Sequence, residues 1–205
     1  MSRKAIGIMG GTFDPIHYGH LVTAEAARVA FNLDTVFFVP SGRPPHKEGQ
    51  EVSDQEARYL MTVLAVTSNK DFTVSRVEIE RPGKSYAFDT VRYFKEAYPE
   101  NDIFFITGAD AIKEILKWHR VNELLDHCYF VAATRPGYDL EELKARELSV
   151  LPPEKLEKIF TIEVTAMAIS STDIKKRVKD NKTIKYLLPE SVEAYIWKEG
   201  LYFEK

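Results

Sequence analysis

The sequence predicts an α/β fold with a doubly wound, mostly parallel sheet, and two observations support this class. Short apolar segments alternate with amphipathic segments of helical period, which is typical of successive β–α–β units. Residues 36–39 and 103–106 are apolar on both faces. Central parallel strands need this pattern because helices cover both sides of the sheet.

The alternation continues along the chain, so each element can be assigned in order. Strands are expected at residues 4–9, 35–39, 72–79, 102–107, 128–133 and 159–164. Helices are expected at 19–31, 54–68, 87–97, 110–116, 120–126, 139–146, 153–157, 171–179 and 189–198. No repeat or linker separates them, so we expect a single domain over residues 1–205, with a small helical C-terminal part at about 170–205.

The composition favours a soluble globular enzyme. The 205 residues are 44% hydrophobic and 29% charged. A net charge of −3 does not favour nucleic-acid binding, although a local basic cluster can still hold a small anion. The single cysteine, Cys128, suits a reducing cytoplasm, and no apolar run approaches the roughly 18 residues of a membrane span. We therefore expect a cytoplasmic protein with neither nucleic acid nor membrane as a partner.

The most informative segment is the junction between the first strand and the first helix, at residues 10–20. Gly10 and Gly11 are adjacent there, and such a glycine-rich junction binds phosphates through backbone N–H groups and a helix N-terminus. His17 and His20 flank a glycine and add two imidazoles that can face a triphosphate. Their spacing also fits a metal site, but no third ligand is evident, so we disfavour zinc.

A second segment, at residues 169–177, has the character of an anion site. Ser170, Ser171 and Thr172 are N-cap-type residues at a helix start, and basic residues follow one turn later. Hydroxyls, free N–H groups and the helix dipole attract anions at such a position. Alone, this segment is better interpreted as an ordinary capped helix with a solvated basic face. Together with the first segment it indicates a phosphate-binding site.

Residues 11–20 and 169–172 together resemble the nucleotidyltransferase superfamily with the His-x-Gly-His signature. Within it, the chain is most similar to bacterial nicotinate-nucleotide adenylyltransferases. The similarity covers nearly the whole chain, and its further pieces are Pro45-His46-Lys47, residues 85–90, Gly108-Ala109-Asp110 with Trp118, Arg135-Pro136-Gly137 and the tail at 186–202. The resemblance implies a Rossmann-like nucleotidyltransferase fold.

The resemblance also implies a reaction. ATP and nicotinate mononucleotide would give nicotinate adenine dinucleotide (deamido-NAD) and pyrophosphate, a step of NAD biosynthesis. The 5′-phosphate oxygen of the mononucleotide attacks the α-phosphorus of ATP in line, so catalysis rests on positioning and on stabilising phosphate charge. Mg²⁺ would arrive with the ATP phosphates and need few protein carboxylates.

Roles for individual residues follow from the same motifs. His17 and His20 are expected to hydrogen-bond the ATP phosphates as charge develops. ATP binding is expected at Gly10, Gly11, Thr12, Phe13, Gly108, Asp110, Ile169, Ser170, Ser171, Thr172 and Arg177. Mononucleotide binding is expected at His46, Lys47, Ser85, Tyr86, Ala87, Trp118 and Arg135. Trp118 would stack on the pyridine ring, and backbone groups at 85–87 would read its carboxylate.

The chain departs from the family pattern at two positions. Lys175 stands where the family often has Arg, so the bidentate fork that Arg offers to phosphate is missing, and Arg177 is the substitute we expect. Ala87 stands where the family often has Thr, which removes a hydroxyl from the pyridine pocket. Trp118 also suits a core position, and Asp110 also suits a helix N-cap.

Other functions remain open at this point. A related adenylyltransferase or cytidylyltransferase, such as the phosphopantetheine enzyme, would usually be shorter and lack the Pro-His-Lys stretch. A nucleotide sensor could keep the fold without turnover, but the presence of His17 and His20 favours an enzyme. A metal hydrolase using the same histidines is the third alternative. The sequence is compatible with a homo-oligomer but does not fix the oligomeric state.

Overall fold

The computed structural model describes residues 4–203 except 48, 50, 109–113, 135–141, 143, 146–147 and 165–167. Within these residues, six strands form one sheet in which every neighbouring pair is parallel. The strands are β1 Ala5–Gly11, β2 Thr35–Pro40, β3 Phe72–Val74, β4 Asp102–Gly108, β5 Tyr129–Thr134 and β6 Ile159–Glu163. The predicted α/β class with a parallel, doubly wound sheet is therefore confirmed.

Helices cover both faces of this sheet. They are α1 Tyr18–Ala30, α2 Gln55–Val66, α3 Val77–Glu80, α4 Ala87–Ala97, α5 Val121–His127, α6 Pro153–Leu156, α7 Ser171–Lys179 and α8 Glu190–Glu199. Short 3₁₀ turns lie at Pro45–Lys47 and Ile115–Lys117. Across the described residues, no helix has both the length and the apolar character that crossing a membrane requires.

The core is divided by β1, whose side chains alternate between the two faces. Met9 packs in a cluster with buried residues of α1, α2, α7 and α8, including Met61 and Ile174. Ile8, the neighbouring residue, packs in a second cluster with residues of α4 and α5, such as Phe94 and Leu124. Each cluster is apolar, so burial from water stabilises both layers against the sheet.

The strand order reverses direction between β1 and β4. The order is β3-β2-β1-β4-β5-β6, so the chain moves outward in one direction from β1 and then in the other from β4. Ligands of open parallel sheets bind beyond the carboxyl ends of the strands at such a reversal. The loops that follow β1 and β4 therefore border the candidate site.

The predicted strand at 72–79 is wrong in its second half. β3 ends at Val74, and the N–H of Ser75 makes the last bond to the β2 carbonyl of Phe38, at 2.9 Å. The Ser75 hydroxyl then accepts from the N–H of Val77 at 3.3 Å, and the short helix α3 begins there. The Val-Glu-Ile-Glu alternation resembles a strand in sequence. The predicted helices at 110–116 and 139–146 lie mostly outside the described residues.

Candidate active site

The loop between β1 and α1 is closely packed. Phe13 has a φ of 51°, in the left-handed region, and its buried ring contacts the ring of Phe38. A Cβ on Gly11 would lie 2.7 Å from the Phe13 ring, so a side chain there would displace the loop. Glycine is therefore required at Gly11 because of this close approach.

The two histidines stack at the start of α1. Their ring centroids lie 3.8 Å apart, and the backbone N–H of His17 donates to Nδ1 of His20 at 3.2 Å. Because Nδ1 of His20 accepts, a neutral His20 carries its proton on Nε2 and can donate it to a ligand. Nδ1 of His17 is buried and has no hydrogen-bond partner within the described part of the chain.

Both imidazoles are neutral at neutral pH. Burial lowers the pKa of His17 to about 4. Burial also lowers the pKa of His20 well below its usual range, and repulsion by a protonated His17 would lower it further. The pair therefore presents polar N–H groups without a fixed positive charge.

Asp14 is a buried carboxylate that fixes the same loop. It accepts hydrogen bonds from the Tyr202 hydroxyl at 2.8 Å, from Nζ of Lys175 at 3.0 Å and from the N–H of Ser53 at 3.4 Å. Burial alone would raise the pKa of Asp14, but these hydrogen bonds and the Lys175 charge together lower it. The loop is thereby tied to three distant segments of the chain.

The start of α7 lies against this loop. The Ser171 hydroxyl donates to the carbonyl of Pro15 at 2.8 Å. A Cβ on Gly19 would lie 3.0 Å from the His17 ring and 3.7 Å from the Ile169 carbonyl, so these three residues lie side by side. The structure therefore brings the two predicted phosphate segments together.

Other residues of α7 have local partners. Ser170 is the N-cap, and its hydroxyl accepts from the N–H of Asp173 at 3.1 Å. Thr172 is exposed in the first turn. Arg177, which we expected to replace the family's arginine, pairs with Asp173 at 2.7 Å, while Lys175 takes the contact to Asp14.

Arg58 is a buried residue that the sequence analysis missed. Its guanidinium donates to the carbonyls of Thr12, Ser53 and Gly42 at 2.8, 3.0 and 3.3 Å. It thereby links the loop after β1 to the loop after β2. The helical spacing of Arg58 with the buried residue Met61 could have indicated that its side chain points inward.

The loops expected to hold the mononucleotide meet at Ser85. Its hydroxyl accepts from the N–H groups of Gly42 and Arg43 at 3.0 and 3.2 Å. Tyr86 is the N-cap of α4, with its ring 4.5 Å from that of His119, and Ala87 is the first residue of the helix.

The remaining predicted residues are distributed around this edge of the sheet. Trp118 is half-buried and packs edge-to-face on Phe105 and Phe130, with centroid separations of 5.7 and 5.6 Å, so it also serves the core. A Cβ on Gly10 would lie 2.9 Å from the same Phe105 ring. Gly108 ends β4, and Lys47 is half-exposed on the first 3₁₀ turn. Asp110, Arg135 and the side chain of His46 lie outside the described residues.

No dedicated metal cluster is present among the described residues. No group of three or more His, Cys, Asp or Glu side chains there is arranged to hold a metal ion.

The fold and the stacked histidines define a nucleotidyltransferase of the cytidylyltransferase-like class, whose family description matches residues 8–177. A protein of Moorella thermoacetica named a "Probable nicotinate-nucleotide adenylyltransferase" is 62% identical over 198 residues, or 96% of this chain and 91% of the relative. A relative of the same name from Thermoanaerobacter sp. is 54% identical over 96% of this chain and 93% of its own. This chain belongs to the nicotinate-nucleotide adenylyltransferase family.

A solved structure supports the fold. The nicotinic acid mononucleotide adenylyltransferase of Plasmodium falciparum, complexed with APC, superposes with a TM-score of 0.72 over 97% of both chains. At 20% identity, this likeness concerns the fold alone.

Proposed function

We propose that this chain transfers the adenylyl group of ATP to nicotinate mononucleotide, forming nicotinate adenine dinucleotide and pyrophosphate. The observation that carries the proposal is the histidine pair, stacked at 3.8 Å at the start of α1 and adjoining the start of α7. Relatives named for this activity at 62% and 54% identity support the choice of substrates.

In the proposed reaction, a 5′-phosphate oxygen of the mononucleotide forms a bond to the α-phosphorus of ATP as the bond to the pyrophosphate oxygen breaks. Negative charge grows on the oxygens around the α-phosphorus and on the leaving pyrophosphate. Neutral imidazole N–H groups and the N-termini of α1 and α7 stabilise that charge. ATP enters as its Mg²⁺ complex, so the metal is part of the substrate.

The binding residues divide between two parts of the site. ATP phosphates would lie between residues 10–13 and 169–172, and the contact of Ser171 with Pro15 joins the loop after β1 to the start of α7. The mononucleotide would lie beside Ser85 and the start of α4, with Lys47 as a cation for its phosphate. Trp118 would stack on the pyridine ring while it also packs against Phe105 and Phe130.

The cellular setting is proposed on separate grounds. A single cysteine suits a cytoplasmic location.

We infer that the chain forms one domain, because residues of α7 and α8 pack in the same core cluster as Met9 of β1. A homo-oligomer is compatible with this arrangement.

A pyrophosphate-release assay tests the proposal. With ATP and Mg²⁺, we expect rapid release with nicotinate mononucleotide and slower release with nicotinamide mononucleotide. No release with either mononucleotide would reject the enzyme assignment. ATP binding without release would favour the sensor alternative. Phosphate release that needs stoichiometric bound zinc would favour the metal hydrolase.

A further inference from the structure

Glu78 is a buried carboxylate that the reaction above does not use. It lies in the short helix α3 and is 6% exposed. Its Oε1 accepts from the Thr90 hydroxyl at 2.5 Å, and Nη2 of Arg81 lies 4.0 Å away. A carboxylate is rarely buried unless specific donors compensate for its lost hydration.

The donors around Glu78 leave it in the role of an acceptor. The Thr90 hydroxyl itself accepts from Arg81 at 3.0 Å, and its nearer acceptor is Glu78 at 2.5 Å rather than the Tyr86 carbonyl at 3.3 Å. The Ser85 and Ser41 hydroxyls lie close enough to the carboxylate to help lower its pKa. Burial raises the pKa of Glu78, and the hydrogen bonds from Thr90 and Ser85 and the charge of Arg81 oppose that rise.

Ser85 transmits this interaction to the backbone. Its hydroxyl accepts from Gly42 and Arg43, which occupies both lone pairs and leaves its single proton for Glu78. The N–H of Ser85 donates in turn to the Arg43 carbonyl at 3.0 Å. These hydrogen bonds therefore hold the loop after β2 against Ser85, which directly precedes Tyr86, the N-cap of α4.

Close packing restricts the movement of the loop after β2. A Cβ on Gly42 would lie 2.2 Å from the carbonyl oxygen of Glu78, so the two backbones are in direct contact. The first turn of α4 receives no side-chain hydrogen bond from its N-cap, Tyr86. Unpaired N–H groups of a first helical turn can bind a carboxylate, and a fixed loop before the helix keeps them in position.

We propose that Glu78 is a positioning residue for the mononucleotide, and that it acts through Ser85. By taking the Ser85 proton, Glu78 fixes Gly42 and Arg43 against the start of α4, where the pyridine carboxylate would bind. This inference rests on the proposed function, because it concerns the mononucleotide part of the same site.

Glu78→Gln tests the inference with little change in shape. A glutamine keeps one acceptor oxygen, but its NH₂ group cannot accept a proton, and both lone pairs of the Ser85 hydroxyl are already used, so one hydroxyl beside residue 78 loses its acceptor. We expect KM for nicotinate mononucleotide to rise about fivefold or more, as for one lost hydrogen bond, with KM for ATP within about twofold of wild type.

A double-mutant cycle shows whether Glu78 acts through Ser85. Ser85→Ala should raise KM for the mononucleotide similarly, and the double variant should be no worse than either single variant. Glu80→Gln is the matched control, because Glu80 lies two residues away, is exposed and pairs with Arg76. Its KM values should equal those of wild type.

Other results would overturn the inference. An unchanged KM for the mononucleotide in Glu78→Gln would reject it, and so would equal rises in both KM values or effects that add fully with those of Ser85→Ala. If Glu78→Gln does not fold, Glu78→Asp keeps both acceptor oxygens at shorter reach and should show a smaller rise confined to the mononucleotide. Lack of turnover by wild type would instead reject the proposed function and this inference with it.

Discussion

The hydroxyl of Tyr202 donates a 2.8 Å hydrogen bond to Asp14, so the end of the described chain is bonded to the loop that carries both histidines. Burial and the charge of Asp14 raise the pKa of Tyr202, which keeps the hydroxyl protonated as a donor. Asp14 and Tyr202 are 188 positions apart in sequence. The geometry of the loop therefore depends on the folding of the C-terminal segment.

Tyr202→Phe is expected to destabilise the protein. The substitution leaves the ring in place but removes a donor from a buried carboxylate, so the free energy of unfolding should fall by about 1.5–3 kcal/mol. Urea unfolding at neutral pH measures the change. Tyr186→Phe is the control, because Tyr186 is 80% exposed. An equal free energy of unfolding for Tyr202→Phe and wild type would contradict the role of this bond.

Arg58→Met is expected to destabilise the protein more strongly. It leaves the carbonyls of Thr12, Gly42 and Ser53 without their donor, at roughly 1–3 kcal/mol for each buried carbonyl that water cannot reach. Arg58→Lys should recover only part of the loss, because an ammonium lacks the planar fork.

Thermal unfolding of the two Arg58 variants checks this ranking. Arg92→Met is the matched control, since Arg92 lies on α4 with its side chain 55% exposed. The unfolding temperature should decrease in the order wild type, Arg58→Lys, Arg58→Met. Full recovery by lysine would show that the fork is unnecessary.

His20→Ala is expected to lower turnover by about 10²-fold or more while the fold is retained, because it removes a donor to the developing phosphate charge. Initial rates of pyrophosphate release measure this. His127→Ala serves as the control, because His127 is exposed at the end of α5. Unchanged turnover in His20→Ala would remove the assigned role.

His17 should make stability depend on pH. Its pKa falls from 6.5 to about 4 on folding, so the unfolded state binds more protons between these values. The free energy of unfolding should therefore increase with pH across this interval, by up to about 3 kcal/mol from His17. His17→Gln should have a shallower slope when urea unfolding is compared at pH 4.5 and 6.5. An identical slope would mean that His17 is not buried in its neutral form.

Sequence patterns predicted the structural positions that depend on neighbouring residues. The glycines lie at the end of β1, the histidines at the start of α1 and the serines at the start of α7. The geometry of strand ends and helix starts is largely fixed by neighbouring residues. The prediction failed at residues 77–80, where alternation resembles a strand but a short helix forms.

The residues that hold the loops were harder to predict because their partners are distant in sequence. Arg58 and Asp14 make contacts 46 and 188 positions away, respectively, and no local pattern names those partners. The pairing of Lys175 with Asp14 was missed for the same reason, since the helix pattern shows only a basic face.

Product analysis shows whether the protein transfers the adenylyl group of ATP to nicotinate mononucleotide. Purified wild-type protein is incubated with ATP, Mg²⁺ and nicotinate mononucleotide, and dinucleotide, pyrophosphate and AMP are quantified by chromatography and mass spectrometry. Nicotinate adenine dinucleotide and pyrophosphate should form in equal amounts, at a rate at least about 10²-fold lower for His20→Ala. Formation of AMP without dinucleotide, or recovery of all ATP unchanged, would contradict adenylyl transfer.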